Sequence, residues 1–418
     1  MTATPHGAPG DFQKILAPRF YKNLADEVIG IFFRKNFVTE SLKLYMNILQ
    51  TLKSYNFSNL TIATLGSHSA LDVCRGAKNL GFKTLVISEK GREKTYEKYY
   101  KTDGKLGCVD ECLTLDKFSD LLKPEVQKKL LDKNSIFVPN RSFEAYLNFN
   151  YDAIENYFNI PMFGNRQLLK IEERGRTENQ YYLLEKSGIK YPRQFKDPKE
   201  IDRLCLVKVQ EKKRVFERAF FLAESYQDYN RQVGEKLKKG IFTEEQLKQA
   251  VIEEFVVGVQ VNFNFFYSPI SDRLELLGTD MRRQTNIEGL LRIPSSYQNE
   301  VSKKIQVKYE EAGHIAVTVL ESMLEKAFEL GEKFVKTSQE LFAPGIIGPF
   351  ALQSIITAGP PKKDIVVIDI SPRMPGSPGI SSTPYGNYLY GQPISVGQRV
   401  AMEIKEAIKL NSFAKILS

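Results

Sequence analysis

Tryptophan is absent from this chain, histidine occurs three times and cysteine four times in 418 residues. Cys74, Cys108, Cys112 and Cys205 set no disulfide framework. The Cys108/Cys112 spacing lacks a second ligand pair and a neighbouring histidine. These absences argue against structural zinc and an oxidised secreted scaffold, and lead us to expect reduced thiols in a cytoplasmic protein. No apolar run reaches the length of a membrane span. The stretch Ile346–Ile356 is broken by Gly348, Pro349, Gln353 and Ser354. The first ten residues lack a basic-then-apolar signal pattern, so secretion is not expected. Arginine blocks with interleaved aromatics are missing too. The net charge of +9 is modest for this length, and a small anionic substrate accounts for it without a nucleic-acid partner.

What is present is an ordinary globular composition, 42% hydrophobic and 26% charged, in a chain long enough for two or three domains. Residues 11–58 read mainly as helix. From Leu60 to about Asn150, short apolar runs (Leu60–Leu65, Lys83–Ser88, Cys108–Leu113, Ser135–Val138) alternate with helical segments. That rhythm predicts an α/β fold with a parallel sheet covered on both faces. A second region begins near Pro161. It predicts a helix over Arg174–Ser187, strands at Leu204–Val209 and Arg218–Leu222, and a β-rich run over Val251–Phe266. Leu274–Gly278 with Leu290–Ile293 reads as antiparallel strands, Val317–Leu341 as a long amphipathic helix, and Ile346–Ile356 and Asp364–Ile370 as two more strands. Ser371–Gly391 reads as a structured loop and Ser395–Leu410 as a final helix.

Thr61–Leu65 runs directly into Gly66, Ser67 and His68, after which Ser69–Leu80 reads as helix. A strand, a Gly-Ser turn and a helix start form a site for a phosphate or carboxylate, and an imidazole there can donate to an anion or handle a proton. The plainer alternative is a capping serine beside an incidental histidine. Arg92 and Ser142 lie in two further polar loops that follow apolar runs, and loops after parallel strands converge on one edge of the sheet.

In the second half, Lys208 ends an apolar run within reach of a nucleotide phosphate, although a strand-end lysine is the ordinary alternative. Glu253, Glu254, Phe255 and Val256 join a helix to a strand, where backbone groups can read an adenine edge and a carboxylate can hold ribose hydroxyls. Gln353 on one strand and Asp369 on the next offer oxygens of the kind magnesium takes, and Arg373 follows where it can clamp a moving phosphoryl group.

From about Thr39 onward the chain resembles the archaeal formate-dependent 5-formaminoimidazole-4-carboxamide ribonucleotide synthetases. The resemblance is carried by IATLGSHSAL (62–71), EKGR (89–92), IPMFGNR (160–166), IEEFVVG (252–258), FYSP (266–269), LLGTD (276–280), NIEGLLRIP (286–294), PGIIGPF (344–350) and VGQRVAMEIK (396–405). It implies an ATP-grasp fold preceded by a small Rossmann-like parallel-sheet domain. The implied units are residues 1–38 as an extension, 39–155 for the nucleotide substrate, and 156–418 as the ATP-grasp part with 190–260 its smaller clamp. It also implies a homo-oligomeric, ATP- and magnesium-dependent ligase that formylates AICAR with formate. Carried over, His68, Ser142 and Asn286 contact the nucleotide, whose phosphate sits near Gly66 and Ser67. Lys208 and Glu253 to Val256 hold ATP, and Gln353 with Asp369 holds magnesium.

Some positions depart from that pattern. Val209–Phe221 (VQEKKRVFERAFF) has no glycine where the family closes a glycine-rich hairpin over the phosphates, so Lys212 and Arg214 would have to supply charge instead. The family's Pro-His-Gly-Ser loop becomes Pro139, Asn140, Arg141, Ser142. Asp369 replaces a glutamate, and Pro375–Gly379 lacks the Gly-Thr-Asn character. Two functions fit these residues: the ligase, or a paralogue that binds a purine-pathway nucleotide as a sensor or assembly subunit.

Overall fold

Three sheets carry the chain in a computed structural model that describes residues 39–173, 175–209, 219–284, 287–305, 311–359 and 362–418. The first is parallel and contains β1 (Thr61–Leu65), β2 (Lys83–Glu89), β3 (Glu111–Leu115) and β4 (Ser135–Phe137) in the order β3-β2-β1-β4. All five β1 residues are buried because both faces are covered. Ile62 joins a cluster with Val73, Ala77, Val400 and Ile404, whereas Ala63 and Leu65 join one with Leu130, Phe137 and Phe158. β3 begins at Glu111 rather than Cys108. The preceding residues are held sideways: Thr84 Oγ1 donates to the Cys108 carbonyl at 2.7 Å, and Val109 N donates to Tyr100 O at 3.0 Å.

The second sheet is small and antiparallel: β5 (Gln194–Phe195), β6 (Cys205–Val209), β7 (Ala219–Ala223) and β8 (Val251–Glu254), ordered β5-β8-β6-β7. The third is antiparallel throughout: β9 (Val259–Ser268), β10 (Arg273–Gln284), β11 (Glu311–Ala316), β12 (Gly348–Thr357) and β13 (Asp364–Ser371), ordered β11-β10-β9-β12-β13. Alternation along β9 divides its faces. Val261, Phe263 and Phe265 pack in a core with Leu330 and Phe334 of the Leu324–Leu341 helix, and Asn262 and Asn264 point the other way.

Several expected elements are corrected. Leu290–Ile293 is not a strand. It follows a short helix at Ile287–Leu290, with Gln284 N bonded to Glu288 Oε1 at 2.8 Å, and β10 pairs instead with β11. The long helix starts at Leu324, not Val317, because Val317 N bonds to Thr279 O and Val319 N to the Tyr385 hydroxyl. The helix expected from Arg174 starts at Gln180, where Asn179 Oδ1 accepts from Tyr181 N and Tyr182 N. Inside Ser371–Gly391 lies a helix, Pro384–Tyr390, stopped by Gly391 at φ 67°.

The last helix, Val396–Leu410, closes the first sheet by crossing the Ala70–Asn79 helix. Glycines make the crossing: a Cβ on Gly76 would lie 2.3 Å from Gln398 N, and one on Gly397 would lie 2.2 Å from Asp72 O. Asp72 Oδ2 accepts from Gly397 N at 3.0 Å, satisfying a free donor at the start of the last helix. Arg166, fully enclosed, donates to the carbonyls of Ile154, Phe158 and Ser418 and so ties the linker between the sheets to the final residues.

Candidate active site

The loops after β1, β2 and β4 meet at one edge of the parallel sheet. Ser67 Oγ lies 2.7 Å from Ser142 Oγ and donates to the Tyr146 hydroxyl at 3.4 Å, while Arg92 Nη1 donates to the same hydroxyl at 2.7 Å. Burial raises the Tyr146 phenol, but its bonds to Ser67 and Arg92 outweigh this and hold it below the usual value. Gly66 is required by packing, since a Cβ would approach Tyr96 Cε2 to 2.7 Å. Its N–H bonds to Ile87 O and that of Ser67 to Leu65 O, so hydroxyls and a guanidinium, rather than those two amides, are what this edge offers an anion. Ser69 does not cap its helix; it has φ 66° and donates to Pro375 O at 2.8 Å. His68 stands beside it. Burial first, then Arg141, His314, Arg373 and Arg282, push its imidazole down to about 4, so the ring is neutral at physiological pH.

Facing this edge is the polar side of the third sheet. Cross-strand pairing aligns Asp280 with Asn262, Asn262 with Gln353, and Gln353 with Asp369. Directly opposed residues share a face, so one surface carries a carboxylate, two carboxamides and a second carboxylate in a row. Asp280 accepts from Asn262 Nδ2 at 3.0 Å and Asn264 Nδ2 at 2.6 Å, and pairs with His314 Nδ1. Arg282 donates to Gln353 Oε1 at 3.2 Å, and Gln353 Nε2 to Ser371 Oγ at 3.3 Å. Arg373 is buried between two carboxylates, with Nη2 2.9 Å from Glu172 Oε2 and Nε 3.7 Å from Glu144 Oε2. Burial, with Glu144 and Asp369 nearby, raises Glu172 above the carboxylate range against the pull of Arg373. One oxygen each of Glu172 and Glu144, and Arg373 Nη1, are buried without a hydrogen-bond partner.

On the small sheet, Lys208 is buried, not an exposed strand end, and pairs with Glu253, which also accepts from the Tyr181 hydroxyl at 3.0 Å. Glu253 is therefore engaged inside the sheet. Glu254 lies 3.5 Å from Arg203, and Phe255 N bonds to Leu204 O. Glu253 and Glu254 thus close β8 rather than a helix, and Phe255 and Val256 begin the stretch joining β8 to β9. Asn286, Lys212 and Arg214 lie outside the described residues.

Gln353 and Asp369 are the residues that would hold a magnesium ion, with Gln353 Oε1 accepting from Arg282 in its absence. The two face each other across β12 and β13, and the neighbouring Asn262 Oδ1 is buried without a hydrogen-bond partner. Among the described residues no three His, Cys, Asp or Glu side chains gather to hold a metal, so such an ion would draw further oxygens from a bound phosphate.

Comparison with known proteins decides the family. Residues 62–195 match a protein family of unknown function, DUF1246, and residues 228–418 match a domain of unknown function, DUF1297. A 5-formaminoimidazole-4-carboxamide-1-(beta)-D-ribofuranosyl 5'-monophosphate synthetase of Methanocaldococcus jannaschii is 39% identical over 373 residues, covering 89% of this chain and 98% of that protein. The enzyme of the same name from Methanopyrus kandleri is 38% identical over 360 residues, 86% of this chain and 95% of its own length. The chain belongs to this synthetase family. Among solved structures, the IMP biosynthesis protein PurP of Thermococcus kodakaraensis is similar at a TM-score of 0.61 and 28% identity, over 85% of this chain and all of that one. An ADP complex of N5-carboxyaminoimidazole ribonucleotide synthetase, at 12% identity and TM-score 0.52, covers 81% of this chain and 78% of its own, and shares the fold alone. That fold is ATP-grasp behind a parallel-sheet unit.

Within this synthetase fold, Ser67, His68, Arg92 and Ser142 come together at one edge, and Gln353, Asp369 and Arg373 face them. Sequence reasoning missed Asp280, Arg282, Glu311, His314, Glu144 and Glu172. The alternation VNFNF at 261–265 is the signal that could have found the polar face, because asparagines spaced by two inside a buried strand must point at something polar. Among the described residues no helix is long and apolar enough to cross a membrane.

Proposed function

We propose that this chain is an ATP-dependent carbon–nitrogen ligase that formylates the 5-amino group of AICAR with formate, giving FAICAR, ADP and phosphate. The observation that carries the reading is the junction itself. A hydroxyl, guanidinium and imidazole edge meets a carboxamide, carboxylate and arginine face, in a chain 39% identical to a named synthetase over nearly its whole length.

Free formate has no leaving group, so a formate oxygen must first take the γ-phosphoryl of ATP, giving formyl phosphate and ADP. The amine then attacks the formyl carbon, a proton leaves the nitrogen, and phosphate departs. Ser67, Ser142 and Arg92 would hold the nucleotide's phosphate, and neutral His68 can accept a hydrogen bond from the substrate or take its proton. Arg373 supplies fixed positive charge where the phosphoryl group moves. Lys208, held by Glu253, would anchor ATP on the small sheet, with the segment from Val256 against the base. Magnesium, held by Gln353 and Asp369, would neutralise phosphate charge. Residues 39–155 would then carry the nucleotide substrate and 156–418 the ATP, with 190–260 as the clamp, in a cytoplasmic homo-oligomer.

The test is purified protein with AICAR, formate, ATP and magnesium, following ADP and the formylated product. ADP without formylated product would mean a different acceptor. Nucleotide binding with no turnover would make the chain the binding paralogue.

A further inference from the structure

Glu311, at the start of β11, is ringed by four basic side chains, from the loops after β1 and β4, from β10 and from β11 itself. Arg141 from the loop after β4 and Arg282 from β10 both pair with its Oε2, the latter at 3.2 Å. His314 Nε2 lies 3.0 Å and His68 Nδ1 3.7 Å from its Oε1. The carboxylate is 5% exposed. One arginine is enough to pair a buried carboxylate. Here two arginines and two imidazoles converge on it, which is how a protein builds a site for an anion.

The surroundings point the same way. Both ring nitrogens of His314 face carboxylates, Nδ1 towards Asp280 and Nε2 towards Glu311. With Glu311 swung aside, Arg141, Arg282 and His314 would frame a space of carboxylate size beside Asp280. Arg282 also donates to Gln353 Oε1. The space therefore lies between the magnesium pair and His68, where an acyl or phosphoryl group has to pass. Gly376 borders it, and a Cβ there would come within 3.2 Å of Arg141 Cδ.

We propose that Arg141, Arg282 and His314 form a binding site for a compact oxyanion, a carboxylate or phosphate, and that Glu311 is its internal occupant, displaced when the ligand enters. The identity of that ligand as formate or the phosphoryl product rests on the ligase reading; the site does not. An internal occupant lowers apparent affinity by the fraction of time it fills the site.

Calorimetry on the full chain, with sodium formate and separately with inorganic phosphate at fixed ionic strength, tests this. Glu311→Gln is expected to bind at least one of them about tenfold more tightly than the unmodified chain, and adding Arg141→Gln should abolish the gain. A gain for formate alone marks a carboxylate subsite; a gain for phosphate alone marks a phosphoryl subsite. Glu311→Asp, which withdraws the charge by one methylene, should show a smaller gain in the same direction. Unchanged or weaker binding of both anions by Glu311→Gln overturns the proposal, because the carboxylate would then be holding the arginines rather than their ligand's place. Should that variant fail to fold, absence of a gain in Glu311→Asp overturns it equally. Failure of the ligase assay with the gain intact rejects the function and keeps the site.

Discussion

Arg373 is the only cation within hydrogen-bond reach of Glu172 among the described contacts, and Glu144 shares it. Removing it strands the buried carboxylate of Glu144 and the part-buried one of Glu172. Arg373→Gln is therefore expected to cost about 3–5 kcal/mol in urea unfolding and to abolish ADP release. A second change, Glu172→Gln, should return part of the stability and none of the turnover, which separates the two roles. His68→Ala is expected to abolish productive AICAR binding while ATP binding persists, measured by calorimetry with each ligand. The substrate edge was legible because each of its residues follows an apolar run, and loops after parallel strands share an edge. Glu311 and His314 were not. Their strand reads EAGHIA, too polar for a buried element, and it is a strand because β10 pairs with it from Asp280 to Gln284.

Between elements, the crossing of the Ala70–Asn79 and Val396–Leu410 helices leaves no room for a methyl group. Gly76→Ala should destabilise the fold by about 1–3 kcal/mol or more, seen as a lower urea midpoint. Asp72 makes this contact sensitive to pH. Burial raises its carboxyl from 3.8 to about 6, against the bonds from Ser395 and Gly397. Between those values the folded chain keeps a proton that the unfolded chain has released. The group's stabilisation is thus full below pH 3.8 and lost as pH rises through about 6, a change of about 3 kcal/mol. Asp72→Asn keeps an acceptor for Gly397 N and should flatten that slope in urea unfolding repeated across the window. The helices themselves were readable from their periodicity; their contact was not, since it depends on two glycines 321 positions apart. The elements misread from sequence, Val317–Met323 above all, share a cause. Their backbone bonds go to distant partners such as Thr279 and Tyr385, which local pattern does not encode.

For the molecule as a whole, the ligase reading requires the two halves to act together through magnesium. Chelation should stop ADP release without lowering the melting temperature of the ligand-free chain, and Gln353→Ala should raise the magnesium needed for half-maximal rate about tenfold. The closing helix carries a different consequence, for synthesis rather than catalysis. The strands of the parallel sheet are made before the other described strands, yet the helix that covers Val73 and Ala77 is made only after residues 80–395. Until then that apolar flank stays uncovered on a growing chain, exposed to chaperones and to neighbouring nascent chains. The order of translation thus parts the making of this sheet from the making of its cover.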